Sequence, residues 1–156
     1  MDEKPIFDRK WFNREYFVWM SNLYEKNPEL AKEMDYKVIS SLGCKMAKEI
    51  KETLPESKNK IEYLFSALEK SHWFQENVEL ISKNENEMTM QVKNCTWQLP
   101  WIKKFGKPYD YCAVSHEAWL KEFAKEIEPK IKIENLRSPS NEPPADGVYC
   151  KWKFRI

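Results

Sequence analysis

Four cysteines and two histidines carry most of the reactive chemistry open to this chain of 156 residues: Cys44, Cys95, Cys112, Cys150, His72 and His116. Cys112 and His116 are four apart, a spacing that stacks both side chains on one helical face. A thiol beside an imidazole is either a nucleophile with its proton acceptor or part of a metal site. Position favours reactivity at Cys112, because a helix opens there and N-terminal amides stabilise a thiolate. Cys150 occupies the inward face of the last strand, and Cys95 follows the second strand. Cys95, Cys112, His116 and Cys150 together would satisfy tetrahedral zinc. Each thiol also reads as a small hydrophobe, since free cysteine is among the most buried residue types. Cys44, mid-helix, reads as core, and His72 as a C-terminal cap on its helix.

Two details of direction matter. Strict alternation groups Cys95 with Thr89, Gln91 and Lys93, away from Met88, Met90 and Val92, so it turns inward only if a bulge or the strand end rotates it. The aromatics Trp97, Trp101 and Tyr111, with Trp119 from the following helix, could line a pocket for a flat ligand or lid the core. Lys151, Lys153 and Arg155 read as a solvated strand face. No G-x-x-x-x-G-K, G-x-G-x-x-G, G-x-S-x-G or H-E-x-x-H is present, and three glycines could scarcely support such loops.

The elements that must position these groups follow from periodicity. Trp11 to Tyr24 carries apolar residues at helical spacing. Asn27-Pro28-Glu29 is a helix start, and the helix it opens runs to Leu54 before Pro55, with Gly43 inside it as a mark of close packing. A third helix runs from about Ser57 to His72. The period then changes to two: Val78 to Ser82 and Met88 to Lys93 form a hairpin about a polar turn. Thr96 to Lys107 reads as an aromatic connection broken by Pro100 and Gly106. Cys112 to Ile127 is a fourth helix, Ile131 to Glu134 a third strand, and Val148 to Ile156 a last strand with one buried face. Three helices, a hairpin, a helix and a second hairpin predict an α+β fold, a curved antiparallel sheet packed on helices.

Composition bounds the function. The length suits one domain, residues 1–156, with a helical half (1–74) and a hairpin–helix–hairpin half (75–156). Aromatics at 14% exclude a disordered chain. A net charge of +1 gives no global field for nucleic acid. No apolar run reaches ~18–20 residues, so no membrane span is expected. Met1 to Pro5 is charged and leads into no apolar segment, so we expect no secretory signal, reduced thiols and a cytoplasmic protein.

The segments Lys93-Asn94-Cys95, Tyr111-Cys112 and Gly147-Val148-Tyr149-Cys150-Lys151-Trp152-Lys153-Phe154 resemble the C-terminal half of the L-2-amino-thiazoline-4-carboxylic acid hydrolase-like family. More distantly, they are similar to the 4-vinyl reductase ligand-binding domains. The resemblance spans roughly the last 65 residues. It implies a small α+β domain enclosing a ligand between helices and a curved sheet, with Cys112 and Cys150 at recurring family cysteines and Cys95 at one of the hydrolase-like group. The vinyl-reductase type implies a tetrapyrrole such as haem, another aromatic ligand, or zinc; an iron–sulfur centre is a further expectation for the thiols. The chain departs from that zinc pattern where Glu142 stands in place of another cysteine.

Three functions compete. The favoured reading is a domain binding a small molecule, a metal or a metallocofactor in a Cys- and Trp-lined pocket. The alternative is a C–N or C–S hydrolase of a cyclic amidine such as an amino-thiazoline carboxylate, with Cys112 attacking and His116 moving protons. The third is an interaction subunit, as a homodimer or with a partner protein.

Overall fold

Local signals set most element boundaries in the structure, a computed structural model that describes residues 9–71, 73–74, 78–139 and 142–156. Helix α1 (Arg9–Lys26) is followed at once by α2 (Pro28–Thr53). Asn27 caps α2 by accepting the Leu30 N–H at 3.1 Å, and Pro28 fills a position whose N–H would be unpaired anyway. Asn59 caps α3 (Lys60–Lys70) in the same way, at 2.8 Å from the Glu62 nitrogen. The expectation for His72 lies outside the described residues.

Strands β1 (Val78–Lys83) and β2 (Glu87–Lys93) form the first hairpin, and β3 (Lys132–Arg137) and β4 (Val148–Arg155) the second. The two hairpins join through β2 and β4, giving an antiparallel sheet in the order β1-β2-β4-β3. This is the α+β arrangement expected from the pattern. Between the hairpins, α5 (Cys112–Ile127) has the expected bounds.

One expectation needs correction. The aromatic connection after β2 contains a helix, α4 (Gln98–Phe105). Pro100 falls in its first turn, where a missing N–H breaks no helical bond, so here it does not act as a breaker. Gly106, at φ 74°, then ends the helix in the left-handed conformation that glycine adopts without steric cost.

Two buried clusters meet at the start of α5. The larger joins Met88, Met90, Trp152 and Phe154 of the sheet to Ile61, Leu64 and Leu68 of α3 and to Trp119, Leu120 and Phe123 of α5. The smaller joins Tyr16, Met20, Ala31, Trp101, Tyr109 and Cys112. Helices α2 and α5 make the closest helix contact. A Cβ on Gly43 would stand 2.5 Å from the Trp119 carbonyl oxygen. Further along, Cys44 donates to Glu126 Oε1 at 3.4 Å and Lys51 to the Glu126 carbonyl at 2.9 Å. Their N-termini lie together too, since Asp35 of α2 faces Ser115 of α5. The two helices therefore run parallel, and the start of α5 is held against the start of α2.

Candidate functional site

The first turn of α5 is aimed by the chain before it. The Gln98 side chain, fully buried, donates from Nε2 to the Tyr109 carbonyl at 3.1 Å and accepts the Tyr109 N–H at 2.8 Å. That carbonyl also accepts the Cys112 N–H at 3.3 Å. A glutamine on α4 thus fixes the peptide from which Cys112 begins its helix. Cys112 Sγ then lies 3.2 Å from His116 Nδ1, the four-residue pairing expected of a helix. Nδ1 also stands 3.3 Å from the Cys112 carbonyl oxygen, to which Ser115 Oγ donates at 3.2 Å.

The thiol and imidazole open on a cavity whose wall includes Trp73, Cys95, Gln98, Tyr149, Cys150 and Trp152. All four residues singled out from sequence, Cys95, Cys112, His116 and Cys150, therefore line one space. Cys150 arrives by alternation along β4. Cys95 arrives by the rotation that alternation alone does not supply. Val92 pairs with Cys150 but Lys93 with Val148, so the register slips across Tyr149. Asn94 then takes a left-handed φ of 47°, its N–H bonded to the Gly147 carbonyl at 3.0 Å. The bulge and this turn swing Cys95 into the interior, where it is buried. Cys44 is half-buried on α2 and bonded to Glu126, apart from this group.

Space in the cavity is small. The centre of a water molecule has about 10 Å³ in which to move, which is room for roughly one water. Haem or any other tetrapyrrole does not fit there. Among the described residues, no three His, Cys, Asp or Glu side chains are arranged to hold a metal ion. The four-ligand zinc set is not assembled among them, because sharing a cavity wall does not bring donors within the ~2.0–2.3 Å that bonding to one ion requires.

The aromatic pocket expected at Trp97, Trp101, Tyr111 and Trp119 is also placed differently, since none of the four lines this cavity. Trp101 packs at a tilt against Tyr109 and Phe105 with centroids 4.4 and 4.5 Å apart, and Trp97 meets Tyr16 at 5.5 Å. Trp119 packs on Phe123 at 4.8 Å. Tyr111 is half-buried under Lys32, whose nitrogen is 5.9 Å from its ring centroid. These rings fill the clusters between helices; the aromatic walls of the cavity are Trp73, Tyr149 and Trp152.

Burial sets the electrostatics. His116 is pushed down to about 4, chiefly by loss of solvent, with a smaller opposing effect from the Cys112 backbone. It is neutral at neutral pH. On the far side of the same helical turn, Asp35 is 2% exposed and its carboxyl is pushed up by burial, against the lowering influence of Tyr16, Ser115 and Tyr109. Tyr16 OH donates to Asp35 Oδ1 at 2.7 Å. Burial and the neighbouring carboxyl push the Tyr16 and Tyr109 hydroxyls well above the ordinary phenol range. Sequence reasoning overlooked Asp35, Gln98 and Ser115. Their one signal was a polar type on a small or apolar row, as in Ala31, Asp35, Ile39, Gly43 and Ala47 at four-residue spacing.

A thiol and a neutral imidazole in contact, on the wall of a small apolar cavity beside a helix N-terminus, have the chemistry for thiol-based addition. Residues 8–137 match the L-2-amino-thiazoline-4-carboxylic acid hydrolase family, and the chain belongs to that family. The match takes in the helical half, which the sequence likeness had left out, and stops before β4. No curated protein matches the chain. Among the described residues no helix is long and apolar enough to cross a membrane.

Proposed function

We propose that the protein is a cysteine-dependent hydrolase of a small cyclic amidine, with Cys112 as nucleophile and His116 as proton carrier. The observation that carries this reading is the 3.2 Å separation of Cys112 Sγ and His116 Nδ1 inside the cavity. Family membership supports it, and shifts the balance from the simple binding domain that sequence favoured. Such a domain needs no paired thiol and imidazole.

An imidazole at about 4 does not take a proton from an ordinary thiol, at roughly 8.5, before reaction. Proton transfer therefore accompanies attack. The thiol proton moves to Nδ1 as sulfur bonds to the amidine carbon, and the resulting imidazolium is acid enough to protonate the leaving nitrogen or sulfur as its bond to that carbon breaks. Water then adds across the carbon–nitrogen double bond of the adduct, and as the carbonyl forms and the bond to Cys112 breaks, the hydroxyl proton passes by way of His116 to the departing sulfur. The N-terminal dipole of α5 favours the charge that develops on sulfur. A five-membered ring is larger than the cavity, so its admission requires the lining side chains to move apart. Free thiols at four positions accord with a reducing cytoplasm as the place of action.

The test is hydrolysis of 2-amino-thiazoline-4-carboxylate by the wild type, Cys112→Ser and His116→Gln. Expected are turnover by the wild type, none by Cys112→Ser, and a loss on the order of 10²–10⁴ for His116→Gln. Full activity in Cys112→Ser would overturn the assignment. Tight binding of the compound without turnover in the wild type would restore the binding-domain reading.

A further inference from the structure

Gln98 holds more hydrogen-bonding capacity than Tyr109 uses. Its amide meets one peptide with both ends: Oε1 accepts the Tyr109 N–H at 2.8 Å and Nε2 donates to the Tyr109 carbonyl at 3.1 Å. A backbone N–H only donates and a carbonyl only accepts, so this pairing fixes which end of the amide is nitrogen. That nitrogen carries two hydrogens. The second diverges from the first in the amide plane and so leaves the Tyr109 peptide. Among the described residues no second acceptor is bonded to it. The side chain is fully buried, so bulk water does not supply one either.

This amide stands on the wall of the cavity that holds Cys112 and His116. One atom ties it to the nucleophile: the Tyr109 carbonyl oxygen accepts from Gln98 Nε2 and, at 3.3 Å, from the Cys112 N–H. A second donor on the same wall is in a like condition. Trp152 is fully buried, and its Nε1–H has no hydrogen-bond partner among the described residues. Native proteins pair their buried donors, so this wall suits a ligand that brings an acceptor. We infer that Gln98 is a ligand-binding residue whose second Nε2–H donates to the nitrogen or oxygen attached to the carbon facing Cys112. An amidine carries such a nitrogen, which gains electron density as sulfur adds to the neighbouring carbon. A fixed N–H at that place stabilises the charge. The benefit to turnover rests on the function proposed for Cys112; the donor itself rests on the buried amide.

Proton and nitrogen-15 spectra of the side-chain amide test the donor without turnover. Iodoacetamide on Cys112 places a carbonyl oxygen beside the sulfur, whereas methyl methanethiosulfonate adds a methylthio group without one. Mass spectrometry confirms modification of Cys112, and identically treated Cys112→Ser accounts for the other thiols. In the acetamide adduct the Gln98 hydrogen not bonded to Tyr109 should move downfield while its sister stays, and the methylthio adduct should not reproduce the move. Loss of the pair in Gln98→Met assigns it; should that variant not fold, Overhauser contact with the Tyr109 amide does so. Folded Gln98→Met should also lose about 10²–10³ in kcat on 2-amino-thiazoline-4-carboxylate, the effect of removing one such donor. A glutamine that only braced Tyr109 would lower the melting temperature when replaced, yet its second hydrogen would ignore the adduct. An unmoved pair, a shift of the Trp152 indole N–H in its place, or a Cys112 that neither reagent modifies overturns the inference. Wild-type kcat in folded Gln98→Met does so as well. The expected shift in a protein that hydrolyses nothing would uphold Gln98 as a ligand donor and remove only the hydrolase reading.

Discussion

The first turn of α5 divides two buried polar regions that burial treats in opposite ways. On the sheet side, His116 faces three thiols and is stripped of its proton. On the helix side, Asp35 faces Tyr16, Tyr109 and Ser115, and burial pushes its carboxyl up against the lowering influence of those hydroxyls. Burial disfavours the charged form of both groups, lowering the imidazole and raising the carboxyl. The sheet side has a cavity with a nucleophile on its wall. Tyr16 donates to Asp35 Oδ1 at 2.7 Å, and the Tyr109 and Ser115 hydroxyls stand by the same carboxyl. The contrast teaches that a displaced pKa alone does not identify a reacting group. Its neighbours do.

Removing the thiol should separate the regions most sharply. Cys112→Ser should abolish turnover, with a loss of at least ~10³-fold, while Asp35→Asn should retain most of it; steady-state kinetics on both variants checks this. Next in size is the joint that holds the two regions together. Gly43→Ala places a methyl against the Trp119 backbone, which cannot rotate away as a side chain would. The variant should lose about 1–3 kcal/mol in urea unfolding, despite the helix propensity alanine adds.

Smaller effects are expected in the pH dependence of stability. His116 titrates at about 4 when folded and near ~6.5 when unfolded. Between those values the unfolded chain binds the extra proton, so the stability this group contributes is lost as pH falls from ~6.5 towards 4. Asp35 acts with the opposite sign. Its folded value is raised, so its contribution is complete below ~3.9 and is lost as pH rises through the folded value. Chemical unfolding from pH 3.5 to 8 should therefore show the acid-side loss reduced in His116→Gln. In Asp35→Asn the decline on the rising side should flatten. Equal curves for all three proteins would mean that the two regions do not differ as described.

Sequence pattern revealed some of these features and hid others for identifiable reasons. α5 and β4 were legible because one face of each is buried and the other wet, which leaves periods of 3.6 and 2 in the residues. The Cys112–His116 contact follows from that helix alone. α4 was hidden by Pro100, whose meaning depends on whether it falls in a first turn or an interior. Cys95 faces the cavity only because of the slip at Tyr149 and the left-handed Asn94, neither of which alternation encodes. Asp35, Ser115 and Gln98 were hidden because their partners are distant in sequence or are backbone atoms. The aromatic residues misled for the converse reason: a large ring beside a candidate site is more often core than ligand wall.

The central claim is that the Cys112 sulfur bonds to the substrate carbon. Rapid acid quenching of wild-type protein mixed with 2-amino-thiazoline-4-carboxylate, followed by digestion and mass spectrometry, tests it directly. The account predicts a transient mass increase on the peptide carrying Cys112, absent from Cys112→Ser and longer-lived in His116→Gln. Turnover at full rate with Cys112 unmodified at every quench time would contradict it.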